Sequence, residues 1–335
     1  MANSMANSMG TRMNALLSVD NLRVKYSTFE GIVHAVNGVS FEIPERGTLG
    51  LVGESGAGKT TTALSLMRLI PVPPGIVESG AISFAGQELG AFSEEEMKKI
   101  RGNQISMIFQ DPMTSLNPVL TVGLQISEAI AAHQKTTERE ALKKAQEMLE
   151  RVQIPAARHK EYPHEFSGGM RQRVGIAMAL ACNPRLLIAD EPTTALDVTI
   201  QAQVVDLVRT LREEFSTAMM LITHDLGVVG EICDRVAVMY AGEIVEEGDL
   251  EQIFENARHP YTKGLFQCIP DIEEDNTEIH PIRGLMPDPF DLPSGCCFHP
   301  RCPQRMDLCS RQKPGLSQEK GQSVRCHLYT KGSAA

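Results

Sequence analysis

Between Leu17 and Pro270, short apolar runs alternate with amphipathic stretches, the pattern of strands alternating with helices in an α/β domain. Three runs, TLGLV (Thr48–Val52), LLIAD (Leu186–Asp190) and AMMLIT (Ala218–Thr223), are apolar almost throughout, which predicts buried strands of a parallel sheet. A helix is predicted over residues 137–152: Thr137 and Glu140 have capping-box spacing, and Ala141, Leu142, Ala145, Met148, Leu149 and Val152 share one face. Ile200, Val204, Leu207, Val208 and Leu211 form a second stripe. Stripes of this kind pack against a core, and neither is given a chemical role.

After Pro270 the pattern breaks. An acidic stretch, DIEEDNTEIH, is followed by prolines at 281, 287, 289 and 293, and then by five of the chain's eight cysteines, between Cys296 and Cys326. This reads as a linker and a small module that owes its order to a bound group more than to a core. The expected organisation is a disordered leader over residues 1–15, a main domain over 16–270 with a helical subdomain at about 113–180, and a linker with a cysteine-rich module over 271–335.

Composition narrows the class. The 42 acidic against 32 basic residues give a net charge of −10, which argues against a protein that chiefly binds nucleic-acid backbones. The longest apolar runs, such as VGIAMALAC ending at Cys182, are about half the length of a membrane span. The start, MANSMANSMGTRMN, lacks the basic and apolar blocks of a secretory signal, so a cytosolic chain is expected. Cysteines there point to metal binding or core packing, and Cys182 and Cys233, set among apolar residues, are expected to be core hydrophobes.

The candidate chemistry begins directly after TLGLV. Gly53, Glu54, Ser55, Gly56, Ala57, Gly58, Lys59 and Thr60 spell G-x-x-x-x-G-K-T, followed by an apolar helical stretch from Thr61 to Ile70, the strand-loop-helix context of a phosphate loop. Glycines let backbone N–H groups turn towards phosphates, Lys59 supplies a cation, and the Thr60 hydroxyl suits Mg²⁺. LLIAD ends in Asp190 and Glu191, carboxylates at a strand tip where α/β sheets place ligands. Asp190 suits Mg²⁺ through water, and Glu191 suits the polarising of a water.

Further strings carry a resemblance. FSGGMRQR, with Ser167, Gly168 and Gly169, resembles the signature of ATP-binding-cassette (ABC) ATPases, with Phe166 for the usual leucine and Met170 for the usual glutamine. IFQDP places Gln110 at the family's Q-loop glutamine, LITHD places His224 at its switch histidine, and TTALD places Asp197 at its D-loop. Tyr26 matches the aromatic that stacks on adenine. The resemblance implies a P-loop NTPase cassette: a RecA-like α/β core, an antiparallel β subdomain and a helical subdomain, here with a small C-terminal metal-binding module. It also implies ATP binding by Tyr26, the segment from Gly53 to Thr61, Ser167, Gly168, Gly169 and Asp197. Glu191, His224 and Gln110 are the implied catalytic residues, and Thr60, Gln110 and Asp190 the Mg²⁺ ligands.

GESGAGKT, IFQDPMTSLNP, EYPHEFSGGMRQRV, HPYTKGLFQCIP and GCCFHPRCP resemble the ATPase subunits of oligopeptide and dipeptide permeases. That implies a peripheral protein on the cytoplasmic face of the cell membrane. Its implied partners are two integral-membrane permease subunits, a second and paralogous ATPase, and an extracytoplasmic peptide-binding protein. Nickel, glutathione and sugar importers share this ATPase architecture. A soluble ABC ATPase acting on nucleic acid would carry a second cassette, a long coiled coil or a basic face, none of which is read here. In the tail, Cys296, Cys302, Cys309 and Cys326 are spaced C-x5-C-x6-C-x16-C, which by itself chooses neither zinc nor an iron–sulfur cluster. The resemblance implies a 4Fe-4S cluster on these four, with zinc the alternative and Cys297 an extra neighbour.

Overall fold

The computed structural model describes residues 15–111, 115–194, 196–268 and 281–330. The expected leader up to residue 14, the opening of the expected helical subdomain at 113–114, and the acidic stretch 271–280 lie outside the described residues. In chain order the strands are β1 (Ala15–Ser27), β2 (Ile32–Pro44), β3 (Thr48–Val52), β4 (Gly75–Phe84), β5 (Gln87–Glu88) and β6 (Ile105–Ile108). They continue with β7 (Leu186–Asp190), β8 (Ala218–Thr223), β9 (Arg235–Tyr240), β10 (Glu243–Asp249), β11 (Leu316–Glu319) and β12 (Gln322–Arg325). The three apolar runs are β3, β7 and β8 with the predicted bounds.

The chain divides into two compact units. Of the described residues, the first takes in 15–17, 43–48, 83–111, 115–194 and 196–223. Its centre is the parallel set β8-β7-β6, in which Ile188 pairs with Met107 on one side and Met220 on the other. Every residue of β7 and β8 is buried, which is why these runs are apolar without alternation. Around them lie the helices Val122–His133, Glu138–Arg151, Gly168–Leu180 and Val198–Phe215. Thr137 and Glu140 form the predicted capping box. Ala141, Ala145, Met148, Leu149 and Val152 are buried, as are Val204, Leu207, Val208 and Leu211. Cys182 is half-buried, with its thiol on the Ala129 carbonyl, whereas Cys233 of the other unit is buried as a core hydrophobe.

Of the described residues, the second unit takes in 18–42, 49–82, 224–268 and 281–330. Its strands run in the order β11-β12-β10-β9-β3, parallel between β3 and β9 and antiparallel along the rest. The stretch beyond the expected linker therefore supplies two strands, and Val324 of β12 lies opposite Glu246 of β10. A further sheet sets most of β2, β1 and β4 side by side. The helix after β3 runs Lys59–Leu66, starting and ending earlier than the predicted Thr61 to Ile70. Gly58, at φ 101°, ends the loop directly before Lys59, and Arg68, at φ 50°, turns the chain before Ile70. Among the described residues no helix is long and apolar enough to cross a membrane.

Candidate functional site

Within the second unit, β3 delivers the chain into the glycine loop. Gly53 has φ 151°, and a Cβ there would stand 2.1 Å from the Met239 carbonyl oxygen. At Gly58, φ 101°, a Cβ would stand 2.3 Å from the Ala35 carbonyl oxygen. Neither position admits a side chain, so β9 and β2 hold the loop backbone close. Lys59 is 6% exposed and its ammonium donates to the carbonyls of Gly53 (2.7 Å) and Glu54 (3.1 Å). Ser55, Gly56 and Thr60 face solvent. Tyr26, at the end of β1, is half-buried with its hydroxyl 3.5 Å from that of Thr61 in the first helical turn. His224, the residue after β8, is exposed, so it is not a core histidine.

The first unit gathers the acidic group. Asp190 ends β7 and is 1% exposed. Glu191 follows at φ 46°, held by its backbone N–H on the Ile222 carbonyl at 2.8 Å. Its Oε2 accepts from the Gln110 amide at 2.9 Å and from the Thr194 hydroxyl at 2.8 Å. A carboxylate oriented by two donors at a strand tip is suited to take a proton from a water. Thr194 has no role in the sequence reading, although it stands three residues after Glu191 in the same loop.

Ser167 caps the helix Gly168–Leu180, accepting from the Met170 N–H at 3.4 Å, so Gly168 and Gly169 open its first turn. A Cβ on Gly169 would lie 2.5 Å from Cγ2 of Ile200, which shows how tightly this turn meets the helix Val198–Phe215. Asp197 caps that second helix through the Ile200 N–H at 3.0 Å. The Arg171 Nε donates to the carbonyls of Pro163 and Phe166, tying the signature helix to the segment before it. Free N–H groups at a glycine-led helix start are a place for an anion.

Cys296, Cys297, Cys302, Cys309 and Cys326 belong to the second unit. Backbone N–H groups of Phe298, Gln304 and Leu328 favour the charged form of Cys296, Cys302 and Cys326, against the burial that raises these thiols. The N–H of Met306 donates to Cys309 Sγ at 3.4 Å. Burial pushes the Cys296 thiol up to about 12 and Cys297 to about 11, and raises Cys302 and Cys326 as well. Such N–H groups suit thiolate ligation, because they stabilise the charged form. Among the described residues, however, no three His, Cys, Asp or Glu side chains are arranged to hold a metal ion, so the expected metal module is not seen as a formed site.

Two residues beyond the sequence reading bear on the phosphate loop. The Glu54 N–H donates to the Tyr261 hydroxyl at 3.0 Å, and the Glu54 carboxylate accepts from Arg301 at 3.0 and 3.1 Å. Both lie in strings quoted for the family resemblance, HPYTKGLF and HPRCP. No spacing rule could pair them with a loop more than 200 residues away.

A family model described as "ABC transporter" matches residues 36–194, and one described as "Oligopeptide/dipeptide transporter, C-terminal region" matches 245–309. The chain is 50% identical over 325 residues to the oligopeptide transport ATP-binding protein AppD of Bacillus subtilis (strain 168), covering 96% of this chain and 99% of that protein. It is 50% identical over 319 residues to the dipeptide transport ATP-binding protein DppD of the same organism, covering 94% and 95%. A dimeric ATP-binding cassette in a post-hydrolysis state with ADP and Pi matches with TM-score 0.63 at 28% identity, over 70% of this chain and 98% of that one.

Proposed function

Because this chain belongs to the ABC-transporter ATP-binding subunits of the oligopeptide and dipeptide transporters, we propose that its site residues serve the ATP hydrolysis that energises peptide import. The chain is an ATPase with the cassette fold. The observation that carries the site assignment is the nearly buried Lys59 ammonium folded into a glycine loop that admits no side chain at Gly53 or Gly58. A phosphate chain replaces the two carbonyls as the partner of that cation, and the segment from Gly53 to Thr61 holds it, with Tyr26 against the adenine. Glu191, steadied by Gln110 and Thr194, takes the proton of the attacking water, and His224 holds the γ-phosphate. Thr60, Asp190 and Gln110 would hold Mg²⁺, which supplies charge neutralisation on the β and γ phosphates. Ser167, Gly168, Gly169 and Asp197 serve the ATP of a second cassette subunit, paralogous to this one, in a head-to-tail pair.

The cassette over residues 16–270 sits on the cytoplasmic face of two membrane permease subunits, with a binding protein outside delivering peptide. Residues 271–335 form the linker and cysteine module. Cys296, Cys302, Cys309 and Cys326 would carry a 4Fe-4S cluster, a reading supported by the Met306 N–H on Cys309 Sγ and by the N–H groups that favour the thiolates of the other three. Anaerobic purification with iron, sulfide and zinc analysis tests it: about four iron and four sulfide per chain fit the cluster, one zinc replaces it, and neither metal ends the metal reading. The transport function is tested in vesicles carrying the full importer. ATP hydrolysis should rise when dipeptides or oligopeptides are supplied with the binding protein; a response to nickel, glutathione or sugar alone would overturn the substrate class.

A further inference from the structure

We propose that Arg301, from the cysteine-rich segment, is a positioning residue for nucleotide binding that cancels the Glu54 carboxylate on the phosphate loop. The inference rests on the assignment of that loop to ATP. Every polar group of Glu54 is engaged. Its carbonyl accepts from Lys59, its N–H donates to Tyr261, and both carboxylate oxygens accept from one Arg301 nitrogen. The Arg301 side chain is 6% exposed and that of Glu54 30%, so water screens this pair less than a surface bridge.

Arg301 is itself held in place. Its Nε donates to the Arg283 carbonyl at 3.1 Å, and its Nη1 lies 3.4 Å from the Tyr240 hydroxyl. Phe298, three residues earlier, is buried with its ring against Tyr240 (5.2 Å) and Tyr261 (5.3 Å), and the Arg301 N–H donates to the Phe298 carbonyl. Tyr240 ends β9, the strand paired with the one that leads into the loop. The segment between Cys296 and Cys302 thus seats an aromatic plug and a cation on the loop's support.

The physical consequence is electrostatic. A carboxylate inside a loop that must receive a polyanion repels it unless a fixed cation is beside it. Lys59 alone cannot serve both the phosphates and Glu54. Arg301 leaves Lys59 for the nucleotide and fixes the Glu54 backbone, whose carbonyl is one of the two on which the Lys59 ammonium rests.

The test is equilibrium titration of the full chain with a fluorescent ATP analogue and Mg²⁺, together with KM and kcat for ATP. Arg301→Ala should weaken binding about tenfold and raise KM by a like factor, with kcat at saturation within about twofold of the parent. Glu54→Gln should bind about threefold more tightly, because Arg301 is then a surplus cation. The double variant should return to within about twofold of the parent affinity, and Arg301→Lys should recover part of the loss. A double variant as weak as Arg301→Ala would overturn the proposal, as would Arg301→Ala with unchanged affinity. If Arg301→Ala fails to fold, Glu54→Gln decides: weaker binding by that variant overturns it. Lys59→Ala is the control on the premise. Should it bind normally, the loop assignment fails; should it bind poorly while the other variants behave like the parent, only the role of Arg301 fails.

Discussion

The side-chain amide of Gln110 donates to Oε2 of Glu191 at 2.9 Å, joining two loops 81 residues apart in the chain. Thr194 adds a second donor to the same oxygen, which fixes the orientation of the carboxylate. Glu191→Gln keeps the shape and removes the base. It is expected to bind ATP with little loss while hydrolysis falls about 10²- to 10⁴-fold. Single-turnover hydrolysis with a parallel binding titration checks this, and full turnover by the variant would exclude Glu191 as the base.

Gln110→Ala leaves Glu191 with the Thr194 hydroxyl as the remaining contact of the two, so the carboxylate swings more freely. A fall in kcat of about tenfold is expected, with KM for ATP moving less. Equal effects on kcat and binding would mean that Gln110 acts through the fold and not through Glu191.

Much of this site was legible in the sequence because its parts are local. The phosphate loop, the acid pair at the end of β7 and the capped SGG helix each need only a few neighbouring residues, and backbone geometry follows from glycine and capping chemistry at those positions. Strands β3, β7 and β8 were equally plain, since full burial leaves an unbroken apolar run. What escaped is nonlocal. Arg301 meets Glu54 across 247 residues, and β12 joins β10 through a pairing that neither strand's short, polar sequence announces. The crowding of cysteines between Cys296 and Cys326 predicts a small module owing its order to a ligand. Phe298 and Arg301 also tie that segment to the aromatic and charged support of the loop.

Lys59→Ala removes the cation on which the loop is built. Its two carbonyl partners, Gly53 and Glu54, are backbone groups that lose a charged donor. ATP affinity should drop by about 10- to 100-fold, the scale of a lost charge-assisted contact to phosphate. The same titration on Thr60→Ala should show a loss that depends on Mg²⁺ concentration, whereas that of Lys59→Ala should not.

Gly169→Ala probes the meeting of the signature helix with the helix Val198–Phe215. The added methyl would stand 2.5 Å from Ile200 Cγ2, so one helix must shift. A destabilisation of about 1–3 kcal/mol is expected from overpacking. Shortening Ile200 to Ala in the same chain, which removes Cγ2, should restore part of it. Gly168→Ala, whose Cβ would meet Leu196 at an ordinary 3.8 Å, is the mild comparison. Unfolding midpoints in urea for the four proteins decide, and equal loss from both glycine variants would contradict the packing account.

His259 sets an acid limit on the second unit. It is 1% exposed, its Nδ1 accepts from the Tyr261 N–H at 3.0 Å, and burial holds its pKa down at about 3. The unfolded chain takes up a proton at about pH 6.5, which the native state refuses until about pH 3. Between these values the unfolded state binds more protons, so stability falls as pH falls, by up to about 1.4 kcal/mol per unit from this one group. Glu246, buried nearby with a raised pKa, works in the opposite direction: above the usual carboxylate value it costs stability as pH rises towards its own pKa. His259→Asn retains an oxygen that caps the Tyr261 N–H but does not titrate, while Glu246 is unchanged. The pH dependence of the urea midpoint should therefore flatten in the variant between about pH 6 and 4, by close to one proton. Parallel curves for the two proteins would mean that His259 is protonated in the native state, against its burial.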